Sequence, residues 1–150
     1  MKSYINSIGV AVPENCIGQS EAVGFMKDAL GLEPDEGRKL AALYKATSIK
    51  QRYSVLSDFN SQRGNFKFFP NSHSQDFPTV SARMKVFAEE APKIAIEAIN
   101  NCLKDYNEFE IEGITHLITV SCTGMYAPGI DIEIIEKFGL KSNVQRTSVN

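Results

Sequence analysis

The feature that most constrains the fold is the succession of elements in the last third of the chain. It consists of a strand-like run, a turn, a short helical pattern and a second strand-like run. Apolar residues predict a strand over residues 115–122, and a helix follows over residues 131–138 with Gly139 as its C-cap. A final strand is predicted over residues 144–149. Strand, helix and strand at this spacing call for a right-handed crossover and a parallel pair. The chain is therefore predicted to be α/β, with a largely parallel sheet covered by helices.

The first third of the chain predicts two more strands and two helices. Alternating apolar residues predict a strand over residues 4–12. A helix is predicted to begin with Ser20 as its cap and to stop at Gly31, and a second helix to open at Pro34. Residues 49–56 then predict a strand with one solvent-exposed face.

The middle of the chain combines an irregular segment with the longest helical pattern. Residues 58–78 are rich in Asn, Ser, Gln and Phe, and a loop of this length is usually functional or disordered. Apolar residues at steps of three and four predict a helix over residues 80–102. Pro92 lies inside it and predicts a kink or two abutting helices. A polar linker is predicted at residues 105–113.

Composition and charge exclude several classes of protein. Of the 150 residues, 43% are hydrophobic and 23% charged, which is ordinary for a single globular domain. Sixteen basic against 18 acidic residues give a net charge of −2, which argues against a partner nucleic acid. No apolar run approaches the roughly 18 residues of a membrane span, and no signal peptide is indicated. Three widely spaced cysteines predict neither disulfides nor a metal site, which favours a cytoplasmic protein with reduced thiols.

Four segments, in order, carry a resemblance to a known family. They are residues 8–21, 47–53, 81–92, and 113–129 together with 138–141. Their arrangement resembles the chalcone synthase-like (type III polyketide synthase) branch of the thiolase superfamily. The resemblance implies an N-terminal thiolase-like domain over residues 1–150, truncated before the family's nucleophilic cysteine.

The same resemblance implies the chemistry of the full-length parent, a naringenin-chalcone synthase-like acyltransferase. Such an enzyme loads an acyl group from acyl-CoA onto its cysteine and then condenses decarboxylated malonyl-CoA units onto it. The family's cysteine, histidine and asparagine all lie beyond Asn150, so no catalytic residue is assigned here. The polypeptide of residues 1–150 is therefore expected to be inactive alone. No cofactor is implied, and a homodimer is expected.

The turn after the predicted strand supplies the candidate pocket residues. By resemblance, Cys122, Thr123, Gly124 and Ala127 line the acyl pocket. Ala127 stands where plant members carry a methionine that reaches the neighbouring subunit's cavity. Cys122 could instead be a plain buried thiol, and Ala127 could simply pack beside the following proline. Neither histidine of the chain is placed by sequence beside Cys122 as a base.

Basic residues around the second helix supply the candidate CoA site. The predicted CoA-binding residues are Lys39, Lys45, Lys50 and Arg52. Lys39 matches a phosphate-binding position of plant members, whereas two other such positions carry Ala42 and Ala46. Neighbouring basic side chains could replace the missing ones. The alternative is a solvated basic face without a ligand.

Two other interpretations remain open at this point. The parent could be a ketoacyl synthase III-like or hydroxymethylglutaryl-CoA synthase-like enzyme, which shares the fold and a cysteine nucleophile. The chain could also be a natural stand-alone module for binding or dimerisation without catalysis. The strand at 47–53 and the helix start at 81–84 favour the polyketide branch.

Overall fold

The structure, a computed structural model, describes residues 2–104 and 110–149. The first five residues of the predicted linker and the last residue of the chain lie outside the described part. The chain divides into two compact units, one of residues 12–79 and one of residues 1–11 with 80–150. No helix of the described residues is long and apolar enough to cross a membrane.

The unit of residues 12–79 joins two helices to a short antiparallel pair of strands. Strand β1 (Asn15–Gly18) pairs antiparallel with β2 (Gln51–Ser54). Between them lie α1 (Gln19–Leu30) and α2 (Pro34–Ala46), as predicted from Pro34. Two helices rather than one separate these strands, so the single-helix crossover that predicts a parallel pair does not apply to them.

Helix α1 begins two residues earlier than the capping pattern predicts. Gly18 is the N-cap rather than Ser20, and its backbone N–H donates to Oε2 of Glu21 at 3.0 Å. Glu21 thus satisfies a donor that the first turn leaves free. Gly31, at φ 60°, ends the helix as predicted, in a left-handed conformation that glycine adopts without steric cost.

The aromatic residues after β2 form the core of this unit. Phe25 and Ala29 of α1 are buried together with Phe66, and Phe59 and Phe69 pack against them. The Phe25 ring centroid lies 4.5 Å from that of Phe59 and 5.1 Å from that of Phe69. The irregular segment is therefore packed against α1 of the same chain.

The second unit contains the predicted strand–helix–strand succession. Helix α3 (Val80–Lys104) precedes β3 (His116–Val120), α4 (Ile130–Phe138) and β4 (Gln145–Val149). Strands β3 and β4 pair in parallel, with His116 opposite Gln145 and Val120 opposite Val149. The predicted parallel crossover is confirmed, as is the α/β class.

Helix α3 runs through Pro92 as one helix, so the alternative of two abutting helices is wrong. Pro92 is the one residue of this helix that is classed as buried. Burial of the proline ring is favourable, and it offsets part of the free energy lost because proline has no backbone N–H to donate within the helix.

The strand predicted over residues 4–12 is wrong, because no residue of that segment has regular secondary structure. The segment follows the C-terminal half of α3 instead. Oγ of Ser7 donates to the carbonyl of Cys102 at 2.6 Å, and Nδ2 of Asn101 donates to the carbonyl of Val10 at 3.0 Å. At Gly9 a Cβ would lie only 2.1 Å from the carbonyl oxygen of Ala98. A helix offers no edge with which a strand can pair. The interstrand hydrogen bonds that the alternating apolar pattern predicts therefore do not form.

Candidate functional site

The loop of residues 121–129, called the site loop below, connects β3 to α4. It starts beside β4, because the backbone N–H of Ser121 donates to the carbonyl of Val149 at 2.9 Å. It ends at Gly129, the N-cap of α4, whose carbonyl accepts the N–H of Ile132 at 3.0 Å. The peptide bond between Ala127 and Pro128 is cis. The β3–β4 pair and α4 therefore position both ends of the loop.

The middle of the site loop packs closely on helix α3. Gly124 has φ 84°, and a Cβ built there would lie 2.2 Å from Cδ1 of Phe87. The rings of Phe87 and Tyr126 meet edge to face, with centroids 6.3 Å apart. Position 124 thus requires glycine both for its backbone conformation and for the space it leaves.

Tyr126 also joins the loop to α4 by a hydrogen bond. Its hydroxyl donates to Oε1 of Glu133 at 2.5 Å, the short distance expected when the acceptor is a carboxylate. Burial raises the pKa of Tyr126 well above its usual value, and the Glu133 hydrogen bond and the negative charges of Glu133 and Asp131 raise it further. The phenol therefore stays protonated and can act as a donor.

The structure brings the four predicted pocket residues together on this loop but exposes them unequally. Cys122, Thr123 and Ala127 are exposed, whereas Gly124 is half-buried. Cys122 is a free thiol at the surface of the described residues. The Nδ1 of His116 lies 2.8 Å from Oγ1 of Thr115, the residue that precedes β3.

An apolar cavity of about 650 Å³ lies beside the site loop, within the same unit. Its walls come from α3, β3 and α4, and they include Phe87, Ala91, Ala95, Leu117 and Ile134. Gly124 is the predicted pocket residue that contributes to this lining. Met125 and Tyr126 also line it. Sequence reasoning missed these two, although they stand between Gly124 and the Pro-Gly pair that ends the loop.

The four predicted CoA-binding residues lie in the other unit and differ in how firmly they are held. Lys39, Lys45 and Lys50 are exposed. Arg52 is half-buried: its Nε donates to Oε1 of Gln19 at 2.8 Å, and its guanidinium lies 4.8 Å from the centre of the Tyr44 ring. Arg52 is thus oriented by this chain's own side chains.

Helix geometry separates the two lysines of α2. Lys39 and Lys45 are six residues apart, which places them about 120° apart around the helix axis. Their Cα–Cβ bonds therefore point to different sides of the helix. Lys50 and Arg52 belong to the segment that follows the helix, where Lys50 also accepts the N–H of Gln19 through its carbonyl at 3.0 Å.

Metal-ligand side chains do not cluster in the part of the chain that the structure describes. Among those residues no group of three or more His, Cys, Asp and Glu side chains is placed to hold a metal ion.

Comparisons with known proteins agree with this architecture. The family model for chalcone and stilbene synthases, N-terminal domain, matches residues 2–150. Type III polyketide synthase A of Arabidopsis thaliana is 30% identical over 146 residues, covering 97% of this chain and 35% of that protein. The chain therefore spans about a third of the length of the plant relatives it matches.

Solved structures give the same result for the fold. PKS-I from the brown alga Ectocarpus siliculosus superposes with a TM-score of 0.77 at 28% identity, over 95% of this chain and 38% of that one. A CsyB variant solved in complex with CoA-SH has a TM-score of 0.72 at 24% identity, over 95% of this chain and 35% of that one. The fold is thus that of the thiolase-like type III polyketide synthases. The chain belongs to the chalcone and stilbene synthase family and corresponds to its N-terminal domain.

These findings confirm the resemblance on which the sequence interpretation rests. The similar proteins named above are polyketide synthases, which favours that interpretation over a ketoacyl synthase III-like enzyme, a hydroxymethylglutaryl-CoA synthase-like enzyme or a stand-alone module.

Proposed function

We propose that this domain is the front part of a type III polyketide synthase-like acyltransferase. In the full-length enzyme an acyl group passes from acyl-CoA to a cysteine outside residues 1–150, and malonyl-CoA is decarboxylated and condensed onto it. The match of the family model over residues 2–150 is the observation that carries this proposal. Naringenin-chalcone synthase-like activity is the finer form of the same proposal.

Exposed apolar side chains on β3 support a place inside a larger enzyme. Ile118 is 65% exposed and Val120 is 75% exposed, although parallel strands are usually covered on both faces of their sheet. Apolar surface of this kind is normally covered by further protein. A domain that contributes a third of its relatives' length would pack against the remainder through such a face.

The site loop is the part of this domain that we assign to the acyl pocket. Its exposed residues Cys122, Thr123 and Ala127 offer small side chains next to the half-buried Gly124. Small side chains leave room for a growing acyl product, and Ala127 leaves more room than the methionine of plant members. Cys122 has no base assigned to it, so we give it a lining role and no catalytic one.

We also assign CoA binding to the basic residues around α2. Lys39 and Lys45 would contact different phosphate groups, since they point in directions about 120° apart. Lys50 and the pre-oriented Arg52 would add charge from the adjoining segment. Each exposed contact would contribute about 1 kcal/mol at most.

The full-length enzyme is proposed to be a cytoplasmic homodimer that pairs through the outer edge of β4. All five residues of β4 are exposed. Gln145 donates its N–H to Thr115 on the β3 side, so alternate residues Arg146 and Ser148 direct their backbone groups away from β3. Unpaired donors and acceptors on a free edge favour pairing with another strand.

The proposed activity is tested with the full-length protein, [2-¹⁴C]malonyl-CoA and hexanoyl-CoA. Release of CO₂ with products that carry more than one added unit supports the polyketide proposal. Separate assays supply the substrates of the alternatives. A single condensation with malonyl-acyl carrier protein would instead indicate a ketoacyl synthase III-like enzyme, and hydroxymethylglutaryl-CoA formation from acetyl-CoA and acetoacetyl-CoA would indicate the other alternative. Absence of any turnover would contradict the enzyme proposal and favour a binding or dimerisation module.

The polypeptide of residues 1–150, tested alone under the same conditions, is expected to show neither acyl transfer nor decarboxylation. None of its residues matches the family's nucleophile or its histidine and asparagine donors. Turnover that depends on Cys122 would contradict the assignment of the chemistry to the remainder of the enzyme.

A further inference from the structure

The site loop presents two kinds of residue in alternation. Gly124 and Tyr126 are half-buried and contact Phe87 of α3, whereas Met125 is 72% exposed and Ala127 is also exposed. The contacts of the half-buried positions fix the backbone of the loop. The backbone in turn sets where the exposed side chains lie. Any movement of the two held positions would displace Met125, which lies between them, and Ala127, which follows them.

Tyr126 is held by a polar contact as well as by packing. Its hydroxyl lies 2.5 Å from Oε1 of Glu133, which is half-buried in the first turn of α4. Removing the hydroxyl alone would keep the ring against Phe87 but release the loop from α4. The hydrogen bond between Tyr126 and Glu133 therefore fixes the position of the loop independently of the packing of the Tyr126 ring.

Helix α4 is itself fixed, so Glu133 is a stationary acceptor. Ile134, the next residue, is 4% exposed and belongs to the buried core. Asp131 accepts a hydrogen bond from Nη1 of Arg146 on β4 at 2.9 Å, and the Asp131 side chain is only 15% exposed. Packing on one side and an ion pair on the other orient the turn that carries Glu133.

We propose that Tyr126 and Glu133 are a positioning pair that sets the place of the site loop, and through it the size of the acyl pocket. The pocket part of this inference rests on the proposed function. The pair touches no reacting atom. The Tyr126–Glu133 pair determines the positions of Met125 and Ala127. Met125 is thereby a further residue that controls product length.

Hydrogen exchange of the full-length protein, followed by mass spectrometry on peptides of the site loop, tests the positioning directly. Tyr126→Phe and Glu133→Ala should each speed exchange in the loop by about tenfold, because each removes one hydrogen bond to a charged acceptor. Glu133→Gln keeps an acceptor oxygen and should restore slower exchange. Glu136→Ala is the matched control, since it removes an exposed carboxylate from the same helix and should leave the loop unchanged.

The same variants of the full-length enzyme are then assayed with hexanoyl-CoA and [2-¹⁴C]malonyl-CoA. Tyr126→Phe and Glu133→Ala should change the ratio of products with different numbers of added units by severalfold. The KM for hexanoyl-CoA should stay within about twofold, because the CoA-binding residues are in another part of the chain. Glu133→Gln should return the product ratio toward that of the wild type. Met125→Ala should shift the same ratio without changing exchange in the loop.

Each result decides the inference. Unchanged exchange in Tyr126→Phe would overturn it, and so would faster exchange with an unchanged product ratio, since the pair would then be structural alone. If the wild-type enzyme makes no condensation product, the proposed function fails together with the pocket part. The exchange data would still decide whether the pair positions the loop.

Discussion

Oδ2 of Asp58 accepts the backbone N–H of Phe69 at 2.7 Å, and this contact belongs to a set that organises the aromatic segment. The same carboxylate accepts the N–H groups of Lys67 at 2.9 Å and Phe68 at 2.8 Å. Asp58 is only 1% exposed, so three backbone donors replace the water that its charge would otherwise bind. A segment that the sequence predicts as irregular is thus held by a buried carboxylate as well as by its aromatic core.

Asp58→Ala should therefore destabilise the protein strongly. It would leave three partly buried N–H groups without an acceptor, at a cost of about 3 kcal/mol in the free energy of unfolding. Urea denaturation measures this change. Asp35→Ala is the control, because that side chain is 75% exposed in an ion pair with Arg38 and should contribute little. Equal effects of the two substitutions would contradict the role given to Asp58.

Gly124→Ala should lower stability through two separate effects. A positive φ of 84° costs an L-residue about 1–2 kcal/mol, and overpacking against Phe87 adds about 1–3 kcal/mol. Gly64→Ala separates the two, since Gly64 has φ 98° but no atom within 4 Å of an added Cβ. Thermal unfolding of both variants should show the larger loss at position 124. A loss no greater than at position 64 would mean that Phe87 moves aside freely.

Stability should fall at alkaline pH through Tyr126. Burial, with Glu133 and Asp131, raises the pKa of Tyr126 above its usual value of 10.0, so the folded state keeps a proton that the unfolded state releases. The unfolded state then binds fewer protons, and the free energy of unfolding decreases as pH rises above 10.0.

Urea denaturation on both sides of that pH tests this expectation. Tyr126→Phe should show a shallower decrease, whereas Tyr53→Phe, which removes a phenol from a residue 45% exposed, should follow the wild type. Identical slopes in all three proteins would show that Tyr126 is not the group responsible.

Lys39→Ala and Lys45→Ala should each weaken CoA binding to the full-length protein by up to about fivefold, as expected for one exposed ionic contact. Because the lysines would contact phosphates, neither substitution should change the binding of pantetheine, which has none. Lys93→Ala, in an exposed pair with Glu90 on α3, is the control. Calorimetric titration measures all three, and an unaltered affinity for CoA would leave these residues as a solvated basic face.

Ser148→Pro should weaken self-association through β4. Proline removes an N–H that is directed away from β3, so the β3–β4 pair should remain intact. Ser148→Ala keeps this N–H and should associate like the wild type. Sedimentation equilibrium measures the dissociation constant. A wild-type protein that stays monomeric at micromolar concentration would contradict pairing through this edge.

The extent to which the sequence predicted the structure differs from one element to the next. Helix α2 from Pro34, the ends of α1 and α4 at Gly31 and Gly139, and the parallel pair of β3 and β4 follow from local rules. Capping, left-handed conformations and single-helix crossovers depend on few neighbouring residues. The family could likewise be identified from short sequence segments that occur in the same order as in its members.

The candidate site was predicted in part. The sequence placed Cys122, Thr123, Gly124 and Ala127 on one loop, which is where they lie. It did not identify Tyr126, because the partner that gives this residue its role is seven positions away. That contact exists only once α4 folds back toward the loop.

Residues 4–12 show what the sequence alone could not decide. Alternation in that segment predicts a strand, but a strand also needs a partner edge. In the tertiary structure Ser7 and Gly9 meet α3, more than ninety residues away in the case of the Ser7–Cys102 contact. Local preferences thus determined the helix ends and the α/β class. Long-range packing decided which segments pair, which pack on a helix and which side chains the site loop exposes, because those outcomes depend on contacts between residues distant in sequence.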